Sequence, residues 1–434
     1  MGRARGSNAS VLVAFEATTG TPPASGFYKT PVASIALGEE QGLIEDDLIG
    51  LGRDPQMPGR DVINNRGDAV VPLCARNIGL WLKSLFGAPT TVQGLAATGS
   101  YTFSAQPANN ATITVGGQAF TFVSGAPAAN QIKIGADLAE TVANAVRALN
   151  QSAVAGVAAA TYYQNLGLDP AGNVIRIVHD TIGTAGNSFT TVAGSSPASN
   201  ATPSGATLAG GAATGAYNHT FVTGGSSLPT ESIEVGLPEV PEFGMNYGVA
   251  ANTLAVPIQR SGMVNATIGL MAQGEAIATA TQGGTPTELS VQRFSAFSGS
   301  ISRLGVPIAD LTGGAFNFGN GLDPVEVIRG DGRVGGFDSG KTTVGGQMDI
   351  RYGSRDLQSL AENGTAIDLE HRWYVPGTVF ALRVLVHEVY LPKPKRPITN
   401  AGAILAGYAW QGAKSATVGR AATIVLTNDV PNYN

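Results

Sequence analysis

Ala69-Val-Val-Pro-Leu73, followed closely by Asn77-Ile-Gly-Leu-Trp-Leu-Lys-Ser-Leu-Phe-Gly87, is the stretch from which the fold is read. The first run is short and apolar, the composition of a strand. In the second, Ile78, Trp81, Leu82 and Leu85 fall at i, i+3, i+4 and i+7, one face of a helix. Asn77 stands where an N-cap belongs and Gly87 where a helix stops. A strand therefore leads into a short amphipathic helix packed on a sheet.

The same order returns later in the chain. Gly346-Gln-Met-Asp-Ile350 leads into Ser354-Arg-Asp-Leu-Gln-Ser-Leu360, closed by Asn363-Gly364. A constant offset pairs Val71 with Met348, Leu73 with Ile350, Leu80 with Leu357 and Gly87 with Gly364. Ser232-Ile-Glu-Val235 then answers Leu382-Arg-Val-Leu385, and Asn265-Ala-Thr-Ile-Gly-Leu270 answers Ala421-Ala-Thr-Ile-Val-Leu426. Recurrence of this kind marks an internal duplication. The order of elements carries more of that argument than residue identity does.

Between the halves lies a stretch of different texture. Ala111-Thr-Ile-Thr-Val-Gly-Gly-Gln-Ala-Phe-Thr-Phe-Val123 reads as a hairpin turning at Gly116-Gly117. A helix is expected from about Ala136, with Asp137 near its start and Leu138, Val142, Val146 and Leu149 on one face. Strands follow at Ala159-Ala-Thr-Tyr-Tyr163 and Val174-Ile-Arg-Ile-Val178, then runs of linker composition. Thr98-Gly-Ser-Tyr before it and Thr214-Gly-Ala-Tyr after it flank the segment. A small α/β domain inserted at a loop tip accounts for this. The expected organisation is a first unit over 1–97 and 214–285, an inserted α/β domain over 104–213, and a second unit over 286–434.

Composition bounds the function. Charged residues make up 13 % of the 434, and glycine occupies 58 positions. So few charges imply a surface largely hidden in an assembly. A net charge of −5 without Lys/Arg clusters argues against a surface that grips nucleic acid. The basic start MGRARGSNAS lacks a following apolar run, so no signal peptide is read, and no stretch has the length of a membrane span. The single cysteine, Cys74, excludes an internal disulfide or a multi-cysteine zinc site and reads as a buried small side chain.

The motifs that could carry chemistry lack their frames. Gly335-Gly-Phe-Asp-Ser-Gly-Lys341-Thr342 matches the phosphate-loop pattern, but Gly345-Gly346 stand where a helix should begin, and alternating Met348, Ile350 and Tyr352 say strand. Gly330-Asp-Gly-Arg-Val-Gly335 matches the dinucleotide fingerprint, again without a following helix. His179, His219, His371 and His387 share no ligand spacing, and His387 is read as an outward or hydrogen-bonded strand residue. The acidic groups Glu39-Glu40, Glu45-Asp46-Asp47 and Asp323/Glu326 read as solvated loops, with a hydrolytic carboxylate pair as the competing reading. No catalytic residue, cofactor or metal ligand is expected.

Several runs together resemble the tail tube proteins of long-tailed phages and prophages. They are the segment Gly38 to Pro55, Asn77-Ile-Gly-Leu-Trp-Leu-Lys83 with Gly87-Ala-Pro89, Thr285 to Phe294, His387 to Pro397 and Val425-Leu-Thr-Asn-Asp-Val430. The resemblance covers 1–97 and 214–434, and its weight lies in extent and order.

The resemblance implies a mainly β fold, a β-sandwich or half-barrel unit with a flanking short helix, here two in tandem plus the insert. It implies sheets that join between subunits around a channel and a long loop that clasps a neighbour. The 38–68 loop, with Glu39, Glu40, Glu45, Asp46, Asp47, Arg53, Asp54 and Arg60, looks like that clasp. The 319–343 loop, with Asp323, Glu326, Arg329, Asp331 and Arg333, is its expected counterpart. Lumen-facing carboxylates would repel DNA phosphates.

The implied partners are the chain itself, in trimeric pseudo-sixfold or hexameric rings, together with tape measure, tail tip and terminator proteins. Double-stranded DNA is met only in transit, and no membrane is involved. The implied location is the virion, assembled in the bacterial host cytoplasm, with the insert outside the tube. The competing class is a phage surface adhesin that binds host glycan.

Overall fold

Side chains alternate between the core and the other face along strands such as Asn265–Met271 and Leu405–Ala413, and that period of two builds antiparallel sheets. The computed structural model describes residues 3–164, 172–398 and 401–433. Met1 and Gly2 of the basic start, and Asn434 at the end of the second expected unit, lie outside them.

One sheet runs through Ser34–Ile35, Gly59–Pro72, Asn265–Met271, the C-terminal half of Glu242–Ile258, Leu311–Gly319, Thr343–Arg351 and Leu405–Ala413. A second layer runs through Thr90–Phe103, Ala212–Val222, Ala422–Asn428, Ala381–Tyr390, Ile367–Tyr374 and Gly299–Arg303. A third joins Ser10–Phe15, Glu231–Leu237, the N-terminal half of the 242–258 strand and Gly274–Ala278. One core containing Val71, Trp81, Ile268, Phe316, Met348, Trp373, Trp410 and Leu426 fills the space between them. The fold is mainly β, with three short α-helices among the described residues.

A strand order recurs. Neighbours 10–15, 231–237, 242–258, 265–271, 59–72 and 34–35 are matched by 299–303, 367–374, 381–390, 405–413, 343–351 and 311–319. The 274–278 strand lies on 242–258 as 422–428 lies on 381–390. Sequence similarity sets 231–237 against 381–390 and 265–271 against 422–428, one strand away from this order. Adjacent strands share one alternating pattern, so similarity alone does not distinguish a shift by a whole strand.

Helix α1 spans Ile78–Phe86 and stops at Gly87, whose φ is 86°. It is not amphipathic as expected: Gly79, Leu80, Ser84 and Phe86 are buried along with the predicted face. The C-terminal segment covers the outer side, and a Cβ at Gly79 would lie 2.0 Å from Tyr433 Cζ. Asn77 makes no side-chain capping bond; its amide donates to Cys74 Sγ and the Leu289 carbonyl instead. Helix α3 is Asp356–Glu362, two residues later than expected.

The insert has its own core, including Tyr101, Phe103, Phe120, Phe122, Val146 and Ile177. Gly116 and Gly117, at φ 57° and 82°, form the hairpin turn read from sequence. Helix α2, Leu138–Asn150, is capped by Asp137, which accepts from the Glu140 N–H at 2.8 Å. The strand Thr90–Phe103 runs unbroken across the start of the insert segment. Its first residues pair with 212–222 and its later ones with Val174–Ile182.

Candidate channel face and assembly arms

The first sheet buries alternate residues in the core and leaves the others on an open face. Ala266, Ile268 and Leu270 point inward, while Asn265, Thr267, Gly269 and Met271 face outward. The same alternation places Thr253, Ala255 and Pro257, then Ala315 and Asn317, then Gly345 and Gln347, then Gly407 and Ala409 on that face. It is built of small and neutral polar side chains. Arg66, Asp68, Asp349 and Arg351 are its main charges, and their signs balance. None of the acidic clusters singled out from sequence lies on it. The face was missed because its residues are chemically bland, although the period of two could have found it.

The expected loop at 38–68 is largely a β-hairpin. Glu39–Ile44 pairs with the start of Gly59–Pro72, and residues 40–62 are all exposed. Glu40, Glu45, Asp46, Asp47, Arg53, Asp54 and Arg60 thus lie in solvent, where Asp46 Oδ1 accepts the Leu48 N–H. Apolar side chains are exposed beside them. Ile49 is 99 % exposed and Met57 87 %, with Leu43, Leu48, Leu51 and Val62 also out. The arm thus exposes a cluster of apolar side chains beside its charged ones.

The second loop lies against the base of this arm. Arg333 Nε donates to Glu39 Oε1 at 2.6 Å, and the Ile63 N–H donates to the Gly332 carbonyl at 2.9 Å. That contact holds the Arg333 guanidinium pKa above its ordinary value, mainly through the Glu39 hydrogen bond. Asp323 pairs in register with Asp338 in a short ladder, Arg329 reaches Asp331 at 3.5 Å, and Glu326 is exposed. Ile328 is fully exposed and Val327 nearly half exposed. Of the sequence-predicted residues, Glu39 and Arg333 are therefore brought together between the arms, Arg329 and Asp331 meet within the second, and the others are distributed over the two solvent-facing arms.

The motifs do not assemble a chemical centre. The Gly335–Thr342 run passes through Phe337–Asp338 into the strand Thr343–Arg351, so its amides are not aimed from a helix N-terminus. The Gly330–Gly335 run lies in the same arm and opens no helix. His219 is buried, with Nδ1 on Thr91 Oγ1 at 2.8 Å and Nε2 2.9 Å from the Val430 carbonyl. His387 Nε2 lies 2.8 Å from Thr423 Oγ1, a strand-to-strand tie. His371 is buried beside Phe316 and Trp410, and burial lowers its pKa to about 4. Cys74 is fully buried, and its sulfur accepts the Gln292 N–H. Among the described residues no group of three or more His, Cys, Asp or Glu is placed to hold a metal ion.

The described residues therefore present a β scaffold with an open, nearly neutral sheet face and two arms that expose apolar side chains. The family model for phage tail tube proteins matches residues 6–169 and 175–412, and the chain belongs to that family. It is a tail tube component of a phage virion. No curated protein matches the chain in sequence.

Proposed function

We propose that the chain carries two tube units in tandem and that three copies close a pseudo-sixfold ring. The rings stack into a tube, and the open small-residue face lines a channel through which double-stranded DNA passes during ejection. The observation that carries this reading is the recurring strand order, whose two copies join along 253–258 and 314–319 into one sheet. A face that is nearly neutral and poor in Lys and Arg neither holds phosphates nor repels them strongly, which suits passage.

The first unit comprises the host strands from 1–97 and 214–285, and the second those of 286–434. The exceptions are the 90–95 and 212–222 strands, which extend the second unit's layer. The insert stands outside the tube, where it leaves the channel open. The apolar arms clasp a neighbouring subunit or ring. A tape measure protein occupies the lumen during assembly in the host cytoplasm, and tip and terminator proteins meet the two ends. We assign no catalytic residue, cofactor or metal.

Cryo electron microscopy of assembled rings tests this reading. Three external knobs per layer are expected. Six knobs would keep the tube and refute the tandem reading, whereas a knob inside the lumen would refute the placement of the insert.

A further inference from the structure

We propose that each chain joins its neighbour by a β-ladder between residues 390–393 of one subunit and 35–38 of the next, with Leu391 opposite Leu37 and Lys393 opposite Ile35. The proposal rests on the tandem reading above and takes the junction inside the chain as its template.

Three ladder steps establish the equivalence. Thr253 pairs with Gly269, which pairs with Asp68, whose carbonyl accepts the Ala36 N–H. Tyr390 pairs with Gln411, which pairs with Gly345, which pairs with Asn317. The offset that relates Val71 to Met348 also relates Asp68 to Gly345. Thr253 therefore corresponds to Tyr390, and Ala36 to Asn317.

Within the chain, Thr253, Leu254 and Ala255 pair with Gly319, Phe318 and Asn317. Carrying that register over sets Tyr390 opposite Gly38, Leu391 opposite Leu37 and Pro392 opposite Ala36 of the next subunit. Both edges are vacant among the described residues. Ser34–Ile35 pairs only with the 59–72 strand, and no strand lies beside 391–393.

The prolines support the register. The Asn252 carbonyl accepts the Asn320 N–H, so 252, 254, 256 and 258 turn their backbone groups toward the 311–319 strand, and Pro257 turns away. The same alternation turns Leu391 and Lys393 toward the vacant slot. Pro392 and Pro394, which have no N–H to give, then turn away from it. On the other edge the Ala36 N–H is used within the subunit, which leaves Ile35 and Leu37 turned outward. Lys393 Nζ reaches Glu362 of α3 at 3.4 Å, on the helix side, as its equivalent Val256 turns into the core beside α1.

Pro392 and Ala36 would form a non-hydrogen-bonded antiparallel pair, whose close Cα atoms suit a disulfide. The test places Ala36→Cys and Pro392→Cys in one chain, assembles rings under reduction, verifies them by cryo electron microscopy and then oxidises them. Cys74 is fully buried and does not compete. A disulfide ladder ending at three chains is expected, with none from either single variant. Ile35→Cys with Pro392→Cys is one residue out of register, on opposite faces, and is expected to give none.

A ladder ending at six would keep the edge pairing and overturn the trimeric reading. Verified rings without cross-links would overturn the pairing. If the first double variant forms no rings, Gly38→Cys with Tyr390→Cys probes the next pair on the same face. A map of unsubstituted rings supplies an independent check, in which any segment other than 35–38 beside 390–393 overturns the proposal.

Discussion

Arg333 and Glu39, 294 residues apart in sequence, form a two-pronged ion pair, with Nε on Oε1 at 2.6 Å and Nη2 on Oε2 at 3.0 Å. The Glu39 carboxylate also accepts the Glu275 N–H at 2.7 Å, so three segments meet at one side chain. The pair is partly solvated, which limits its contribution to about 1 kcal/mol. Arg333→Ala is expected to leave the melting midpoint almost unchanged while speeding amide exchange across 59–65. Unchanged exchange there would show that the backbone bond from Ile63 to Gly332 suffices.

Ile49, at the tip of the first arm, touches almost nothing within the chain. Ile49→Asp should alter monomer stability by less than about 0.5 kcal/mol. Burying a new carboxylate in an apolar contact is costly, so tube growth should fail or slow at least tenfold by light scattering. Growth at the ordinary rate would remove the arm from the contact.

Glu231 is fully buried, and Ser84 of α1 donates to its carboxylate. Burial pushes its carboxyl pKa up to about 8, against an ordinary value of 4.5. The folded state thus binds this proton more tightly than the unfolded chain. Its contribution is most favourable below the unfolded value and is lost as pH rises through about 8, with a slope of at most about 1.4 kcal/mol per pH unit. Glu231→Gln should flatten the stability profile over that window and gain on the parent at its alkaline end. Parallel profiles from denaturant unfolding would contradict this.

Glu370 is buried and pairs at 2.8 Å with the partly exposed Arg383, whose guanidinium also donates to the hydroxyl of Tyr163 from the insert. Burial pushes the Glu370 carboxyl up, but Arg383 and its neighbours more than offset this and hold it below the ordinary value. Glu370→Ala removes the partner of a partly exposed guanidinium and should cost about 1–3 kcal/mol. Tyr163→Phe removes only a hydroxyl and should cost about 1 kcal/mol. A loss under about 0.5 kcal/mol for the first would mean that solvent replaces the carboxylate at Arg383 without cost.

The insert can be removed without cutting a host strand pair. Leu95 pairs with Ala212, so an Asn-Gly turn in place of 96–211 can close the hairpin. The host should still form rings without external knobs, as seen by electron microscopy. Loss of ring formation would give the insert an assembly role.

Local chemistry made much of this protein legible in sequence. The strand at Asn265–Leu270, the stop at Gly87, the Gly116-Gly117 turn and the helix start beside Asp137 each depend on a few adjacent residues, and each appears in the fold. The strand that follows Lys341 was readable for the same reason, since the alternation of Met348, Ile350 and Tyr352 is local. What tertiary structure alone decided were matters of partnership. Ladder order chose which strands correspond, because register between neighbours depends on two segments at once. The C-terminal Tyr433 closed over α1 and buried a face the helix period had left open, and the distant Arg333 singled out Glu39 among many acidic side chains. A contact between segments hundreds of residues apart leaves no spacing in the sequence, only the bland alternation that any strand would show.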